Sequence, residues 1–218
     1  NYHGNLMNPL KRQPFHWTQE SALYIELIFK RQIIRGFRAI DQYIPVEKIT
    51  VLDAGCGAGQ LTREIAEYLN ADRIYGCDIN MDDVEQCQHK NPNIHYFQHD
   101  LLLSFENLPK FDVIIFTTAL AQFAKKEQKI VLNNAMKQLS QGGFIWIIDV
   151  NTDSTSSLFR NITQEYHVIY QQGFSKSLLN RYSVLKLPNS LPLTIVHMLD
   201  KLGIGTNILN QVIYKLDK

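Results

Sequence analysis

The residues best equipped for chemistry stand in one run, Val51-Leu52-Asp53-Ala54-Gly55-Cys56-Gly57-Ala58-Gly59-Gln60-Leu61. An apolar segment ends on an acid, three glycines follow at alternate positions, and a helical pattern starts after the last. Glycine has no β-carbon, so a ligand can lie against its backbone and the chain can turn left-handed there. A helix start adds free N–H groups and the positive end of a dipole. Such a turn suits a small polar ligand. A dinucleotide turn would read G-x-G-x-x-G, whereas the glycines here stand at 55, 57 and 59 with Gln60 next. No phosphate-loop run G-x-x-x-x-G-K-[ST] occurs anywhere in the chain. Asp53 beside the turn would repel a pyrophosphate and favours a cationic ligand.

The elements that must hold this turn follow from apolar spacing. Residues 1–16 show no period and read as an irregular arm. From Thr18 to Tyr43 apolar residues recur at helical spacing, Leu23, Leu27, Ile28, Phe29, Ile33, Ile34, Phe37 and Ile40, with Thr18 or Ser21 as cap and Pro45 as stop. Strands are expected at Ile49–Leu52, Arg73–Cys77, Ile94–Phe97, Phe111–Thr117 and Phe144–Val150, the last entered through a turn at Gly142-Gly143. Helices at Leu61–Leu69, Met81–Lys90 and Lys125–Leu139 lie between them. This alternation predicts right-handed crossovers and a doubly wound α/β sheet. Beyond Asn151, a Ser/Thr-rich start (Thr152–Ser157) leads to a helix ending near Gly173-Phe174. A sixth strand at Arg181–Leu187, an amphipathic helix at Ser190–Leu202 and a last strand at Gln211–Leu216 follow. In such a sheet ligands sit beyond the carboxyl ends of the strands where their order reverses.

The run from Val51 to Gly59 resembles motif I of the class I S-adenosylmethionine-dependent methyltransferases of the small-molecule type, (V/I)LDxGCGxG, at every specified position. The resemblance implies a Rossmann-like, doubly wound, seven-stranded sheet with the last strand antiparallel and helices on both faces. It implies S-adenosyl-L-methionine as cofactor and S-adenosyl-L-homocysteine as product. Ala54, Gly55, Cys56, Gly57 and Gly59 would then lie against the methionine and ribose portions. Asp53 would orient the loop and reach the amino group, directly or through water. Ile74-Tyr75-Gly76-Cys77-Asp78-Ile79 resembles the end of the family's second strand, where Asp78 would accept from both ribose hydroxyls with Ile79 beside it. Phe97-Gln98-His99-Asp100-Leu101 resembles the loop after strand three, where Asp100 would accept from the adenine amino group and Leu101 would flank it. Phe111-Asp112-Val113-Ile114-Ile115 resembles strand four, leading to Thr117 and Thr118 at its active-site end. The likeness covers roughly residues 20–150. It divides one domain into an arm and helix (1–45), a cofactor-binding core (46–151) and a substrate-side cap with the last strands (152–218).

One departure bears on mechanism. Many small-molecule members carry a histidine after strand four, and this chain reads Ala119-Leu120-Ala121-Gln122-Phe123. Glutamine cannot act as a general base, so no catalytic residue is assigned. Thr117 and Thr118 stand where metal-dependent relatives need a carboxylate, so no metal is expected. Asp149 and Asn151 border the expected pocket. Asp53, Asp78 and Asp100 also have plainer readings, as cap or turn residues. Asp112 reads as structural, Cys56 as a small loop residue, and His99 and His167 as surface or core residues.

The totals limit the partners. In 218 residues, 45% are hydrophobic, 20% charged, and the net charge is +1, which gives no overall pull toward nucleic acid. Residues 1–38 carry six Lys/Arg against two acids and 160–218 carry seven against three, leaving nine bases and sixteen acids between. These basic ends are either solvated faces or a cover that receives an anionic acceptor. Three cysteines without metal-ligand spacing suit a reduced, cytoplasmic setting, and no run is long enough for a membrane span. Methyl transfer from a sulfonium is an in-line displacement in which the protein aligns donor and acceptor and excludes water. A small-molecule or lipid-like acceptor, methylated on O, N or C, is the leading expectation. A protein or RNA acceptor, or a non-catalytic binding subunit, are the alternatives. Membrane contact through the Ile195–Leu202 face ranks below packing as a lid, and the oligomeric state is not legible.

Overall fold

The computed structural model describes residues 33–150, 166–175 and 207–217. Strand β1 (Val51–Ala54) is buried at all four positions, between β2 (Ile74–Asp78) on one side and β4 (Phe111–Thr117) on the other. A strand covered on both faces must be apolar throughout rather than alternating, which Val51, Leu52 and Ala54 satisfy. With β3 (His95–Gln98), β5 (Leu139–Val150), β6 (Tyr166–Ser175) and β7 (Asn207–Leu216), the sheet has the order β3-β2-β1-β4-β5-β7-β6. The pairs among β1 to β5 are parallel, and β7 runs antiparallel to both β5 and β6. The expected seven strands with an antiparallel last one are therefore present. Strand order reverses between β1 and β4, which opens a crevice at their carboxyl ends.

Helices cover both faces. The described part of α1 spans residues 33–40, followed by α2 (Gln60–Ala66), α3 (Met81–Lys90) and α4 (Lys125–Gln138). Successive strand residues point to opposite faces. Thus Val51, Ile115 and Trp146 pack with Ile33, Phe37, Leu61 and Ile65, while Leu52, Ile114 and Ile147 pack with Val131, Leu132 and Ala135 of α4. Asp112 is structural as expected: its carboxylate accepts from Thr50 N at 2.8 Å and pins the start of β4 beside β1.

Three expectations need correction. The stretch leading to Gly173-Phe174 is not a helix where it is described; Tyr166–Ser175 is the edge strand β6, paired along β7. The apolar cluster of Val168, Ile169 and Tyr170 is too short to separate the two periods, and pairing with β7 decides for strand. Strand β5 begins at Leu139 rather than Phe144. Gly142 (φ 70°) lies in an irregularity where the register with β4 shifts between Phe111 and Val113, so the glycine pair interrupts the strand without preceding it. The last strand starts at Asn207, four residues before the expected Gln211. The 1–16 arm, the Thr18 cap, Thr152–Ser157, Arg181–Leu187 and Ser190–Leu202 lie outside the described residues.

The α1 contact depends on one absent side chain. A β-carbon on Gly36 would lie 2.1 Å from Cζ2 of the fully buried Trp146, whose ring meets Phe37 edge-on at 5.3 Å. A buried indole cannot give way as a flexible side chain would. Gly36→Ala is therefore expected to destabilise the fold by about 1–3 kcal/mol, the usual cost of overpacking, despite alanine's better helix propensity. Urea unfolding of the two proteins measures it; equal midpoints would show that α1 does not rest on Trp146.

Candidate functional site

The turn after β1 is left-handed at all three glycines, with φ of 84° at Gly55, 49° at Gly57 and 71° at Gly59. Side chains rarely adopt such angles, so the pattern of alternate glycines is a backbone requirement. Neighbouring strand β2 holds the turn in place. Gly55 N and Cys56 N both donate to Cys77 O, at 2.8 and 2.9 Å, and Gly57 N donates to Asp78 Oδ2 at 2.9 Å. Asn80 N donates to the other Asp78 oxygen at 3.0 Å. Asp78 thus clips the glycine turn to the start of α3, a role beyond the one expected of it. Helix α2 is seven residues long, shorter than the Leu61–Leu69 expected, so the turn's own amides rather than a helix dipole supply its polar capacity.

Asp53 lies below the turn with 1% of its surface exposed. Its Oδ2 accepts from Thr62 Oγ1 at 2.6 Å, and its Oδ1 is buried without a hydrogen-bond partner. Burial pushes its pKa up to about 7, against the lowering effect of the Thr62 hydroxyl and with a smaller push from the Asp78 charge. An acid in this state is poised to take up a proton or a cation.

The remaining predicted residues stand at the carboxyl ends of adjacent strands. His99 N donates to Asp78 O at 2.9 Å, joining the end of β2 to the loop after β3. Gln98 Nε2 reaches Ile79 O at 2.9 Å across the same gap. Asp100 Oδ1 accepts from Leu102 N at 3.0 Å, forming the turn that its plainer reading anticipates. Leu101 is buried in the core, its Cδ1 3.9 Å from where a Gly55 β-carbon would stand. That β-carbon would also lie 2.8 Å from Ala119 Cβ, so the segment after β4 packs directly on the glycine turn.

Beyond β4, Thr117 Oγ1 is buried without a hydrogen-bond partner, and Thr118 is left-handed at φ 51°. A β-branched residue in that region is strained, and such strain collects at functional sites. Thr118 N donates to Ile148 O at 2.8 Å, and Gln122 Nε2 folds back to Thr118 O at 3.2 Å. Asp149, 1% exposed, accepts from Ala121 N at 2.8 Å and holds the turn Leu120–Gln122 beside them. Asn151 is outside the described residues. Elsewhere, His99 stacks on Phe105 with centroids 4.4 Å apart, and burial holds its pKa down. His167 pairs with Asp217 at 2.9 Å, at the amino end of β6 and away from the crevice. Among the described residues no three His, Cys, Asp or Glu side chains gather as a metal would require.

The structure therefore brings Asp53, Ala54, Gly55, Cys56, Gly57, Gly59, Asp78, Ile79, Asp100, Leu101 and Thr117 to one edge of the sheet. Sequence reasoning missed Thr62, the strain at Thr118 and the thiol of Cys87 behind the turn. None of these carries a local signal: the Thr62 and Cys87 contacts join residues that share no pattern in the sequence, and a left-handed threonine has no mark there.

Comparison with known proteins agrees with this geometry. Residues 51–143 match the family described as a methyltransferase domain. The chain is similar to the mitochondrial ubiquinone biosynthesis O-methyltransferase of Candida albicans, at 27% identity over 148 residues, 65% of this chain and 44% of that protein. The chain thus spans less than half the length of the curated relative it matches. Among solved structures, the plantazolicin methyltransferase BamL, solved with a substrate analogue and S-adenosylhomocysteine, aligns with a TM-score of 0.63 at 14% identity, covering 92% of this chain and 87% of that one. The magnesium protoporphyrin IX methyltransferase of Synechocystis, solved with S-adenosylmethionine, aligns with a TM-score of 0.61 at 11% identity over 95% of this chain and 88% of that one. At these identities the structures establish the shared fold.

The Asp53 environment makes a signed prediction. Its folded pKa is raised, so its contribution to stability is complete below the unfolded value near 3.8 and is lost as pH rises to about 7. Asp53→Asn keeps an acceptor for Thr62 but does not titrate. Between pH 5 and pH 8, wild type should lose on the order of 2–3 kcal/mol relative to the variant, measured by urea unfolding at each pH. Parallel stability curves would mean that Asp53 is not held protonated by burial.

Proposed function

We propose that this chain, whose residues 51–143 match the methyltransferase-domain family, is an S-adenosylmethionine-dependent methyltransferase acting on a small-molecule acceptor. The observation that carries the reading is the glycine turn: three left-handed glycines fastened to Asp78, with the unpaired oxygen of Asp53 buried beneath.

The residues fit the cofactor in chemistry. S-adenosylmethionine supplies a methyl group already activated on a sulfonium. Asp53, ionised by a nearby cation, holds the α-amino group through its free oxygen. Each Asp78 oxygen already accepts one backbone amide and keeps a second lone pair, which leaves acceptors for the ribose hydroxyls. Asp100 takes the adenine amino group, with Ile79 and Leu101 as apolar flanks. Thr117, at the end of β4, faces the transfer region. Alignment and exclusion of water are then the protein's main contributions.

The acceptor follows from what β4 lacks. Gln122 cannot take a proton, and its amide is engaged with Thr118 O. An acceptor hydroxyl acidic enough to ionise in water, such as a phenol or enol, needs no base from the protein. The relative named as an O-methyltransferase of ubiquinone biosynthesis supports an oxygen acceptor of lipid-like character. Among the described residues no helix is long and apolar enough to cross a membrane, and the three cysteines are free, which favours a reducing compartment such as the cytosol.

Methyl-labelled cofactor incubated with protein-free and nucleic-acid-free cell extract tests the proposal. Label should enter a small, solvent-extractable product with wild type. Label confined to added protein or RNA would replace this acceptor class, and bound cofactor without transfer to any fraction would make the chain a binding subunit. Asp78→Ala should weaken S-adenosylhomocysteine binding by about 1–3 kcal/mol, the scale of charge-assisted hydrogen bonds. Isothermal calorimetry reads this; unchanged affinity would move the ribose site elsewhere.

A further inference from the structure

The glycine turn has a thiol on each side. Cys56 stands within it, partly exposed, and Cys87 reaches it from α3, fully buried. The two lie thirty-one positions apart in sequence, yet both thiols donate to the same oxygen, Gly57 O, at 3.7 and 3.4 Å. Cys87 Sγ would lie 2.6 Å from a β-carbon on Gly59, and Cys56 Sγ 3.2 Å from one on Gly76. The thiols therefore fill the space that the glycines leave open, on the side of the turn facing α3 and β2. Nothing in the methyl-transfer chemistry uses Cys87.

We propose that Cys56 and Cys87 form a reversible disulfide under peroxide, and that this bond closes the glycine turn to its cofactor. Cys87, the more acidic thiol, attacks the oxidant. Its sulfur takes an oxygen of hydrogen peroxide to become a sulfenic acid, releasing one water. The Cys56 sulfur then attacks the Cys87 sulfur, its thiol proton leaves with the hydroxyl, and the second water is expelled. Two thiols lose two electrons and two protons, and one peroxide is reduced to two waters.

The surroundings suit these roles. The neighbouring Cys87 thiol, with burial and the charges of Asp53 and Asp78, holds the Cys56 pKa up and keeps that thiol protonated near neutral pH. The Cys56 thiol beside it lowers the Cys87 pKa, assisted by the charge of Arg63, which favours Cys87 as the thiolate that attacks the peroxide. Cys77, also raised by burial, lies in β2 with its backbone carbonyl already holding Gly55 and Cys56. Bonding Cys56 to Cys87 draws the turn toward α3. It displaces the Gly57 amide from Asp78, and with it the backbone on which the cofactor reading of the turn depends.

Peroxide treatment of the full chain tests this, followed by alkylation of remaining thiols under denaturing conditions and peptide mass spectrometry. Trypsin releases peptides 49–63 and 74–90, which the disulfide would hold together, and a second cleavage beside Asp83 separates Cys77 from Cys87. The expected result is a Cys56–Cys87 link that dithiothreitol removes and Cys87→Ala lacks. In parallel, S-adenosylhomocysteine affinity should fall at least about tenfold in oxidised wild type. It should recover with dithiothreitol and stay unaffected by peroxide in Cys87→Ala, with Cys87→Ser as a second variant should alanine perturb folding. A Cys56–Cys77 link, no link at all, or a link with unchanged affinity would overturn the proposal. Failure of the reduced protein to bind the product would instead count against the cofactor reading, and the mass-spectrometric result would still stand.

Discussion

Three backbone amides of the glycine turn, those of Gly55, Cys56 and Gly57, donate to the end of β2, two to the Cys77 carbonyl and one to the Asp78 carboxylate. This is the constraint on which the site depends. A five-residue turn with three left-handed positions has few conformational restraints of its own, and β2 provides them. The same hydrogen bonds place the acid of β2 beside the amides of the turn, so the strand that shapes the loop also equips it. The loop after β4 packs on the turn through Ala119, so two strand ends hold it among the described residues.

The second constraint is electrostatic. Asp53 and Asp78 are two carboxylates at adjacent strand ends, one buried and one hydrogen-bonded to backbone amides. The environment separates them. Asp78 gains two N–H donors, while Asp53 gains one hydroxyl and keeps one bare oxygen. A ligand that brings a cation to one and hydroxyl donors to the other relieves both, and the amino-acid and ribose ends of S-adenosylmethionine have that chemistry.

Much of this was legible in the sequence for local reasons. Helix α3 and strand β4 are found at the residues expected. In α3, Asn80 caps the first turn by accepting from Asp82 N, and β4 is carried by the apolar run Val113–Phe116. The glycine spacing announced the left-handed turn because no other residue type tolerates it repeatedly. What stayed hidden depends on distant partners. Tyr166–Ser175 is a strand because β7 pairs with it, and β5 starts early because β4 offers Phe111 a partner at Leu139. The left-handed Thr118, the Thr62 hydroxyl on Asp53 and the Cys87 thiol behind the turn have no counterpart in local pattern. The acceptor side was least readable, since Gln122 departs from the family's histidine and points to no proton acceptor.

The claim that the glycine turn is the cofactor cradle is tested most directly at Gly57. Among the described residues a β-carbon there would meet no atom within 4 Å beyond its chain neighbours, so Gly57→Ala costs the fold mainly the left-handed backbone term of about 1–2 kcal/mol. The added methyl, however, enters the space against which the cofactor must lie. Calorimetric titration with S-adenosylhomocysteine should show one site per chain in wild type and at least about tenfold weaker binding in Gly57→Ala, with the variant still folded. Equal affinity in the two proteins would contradict the account.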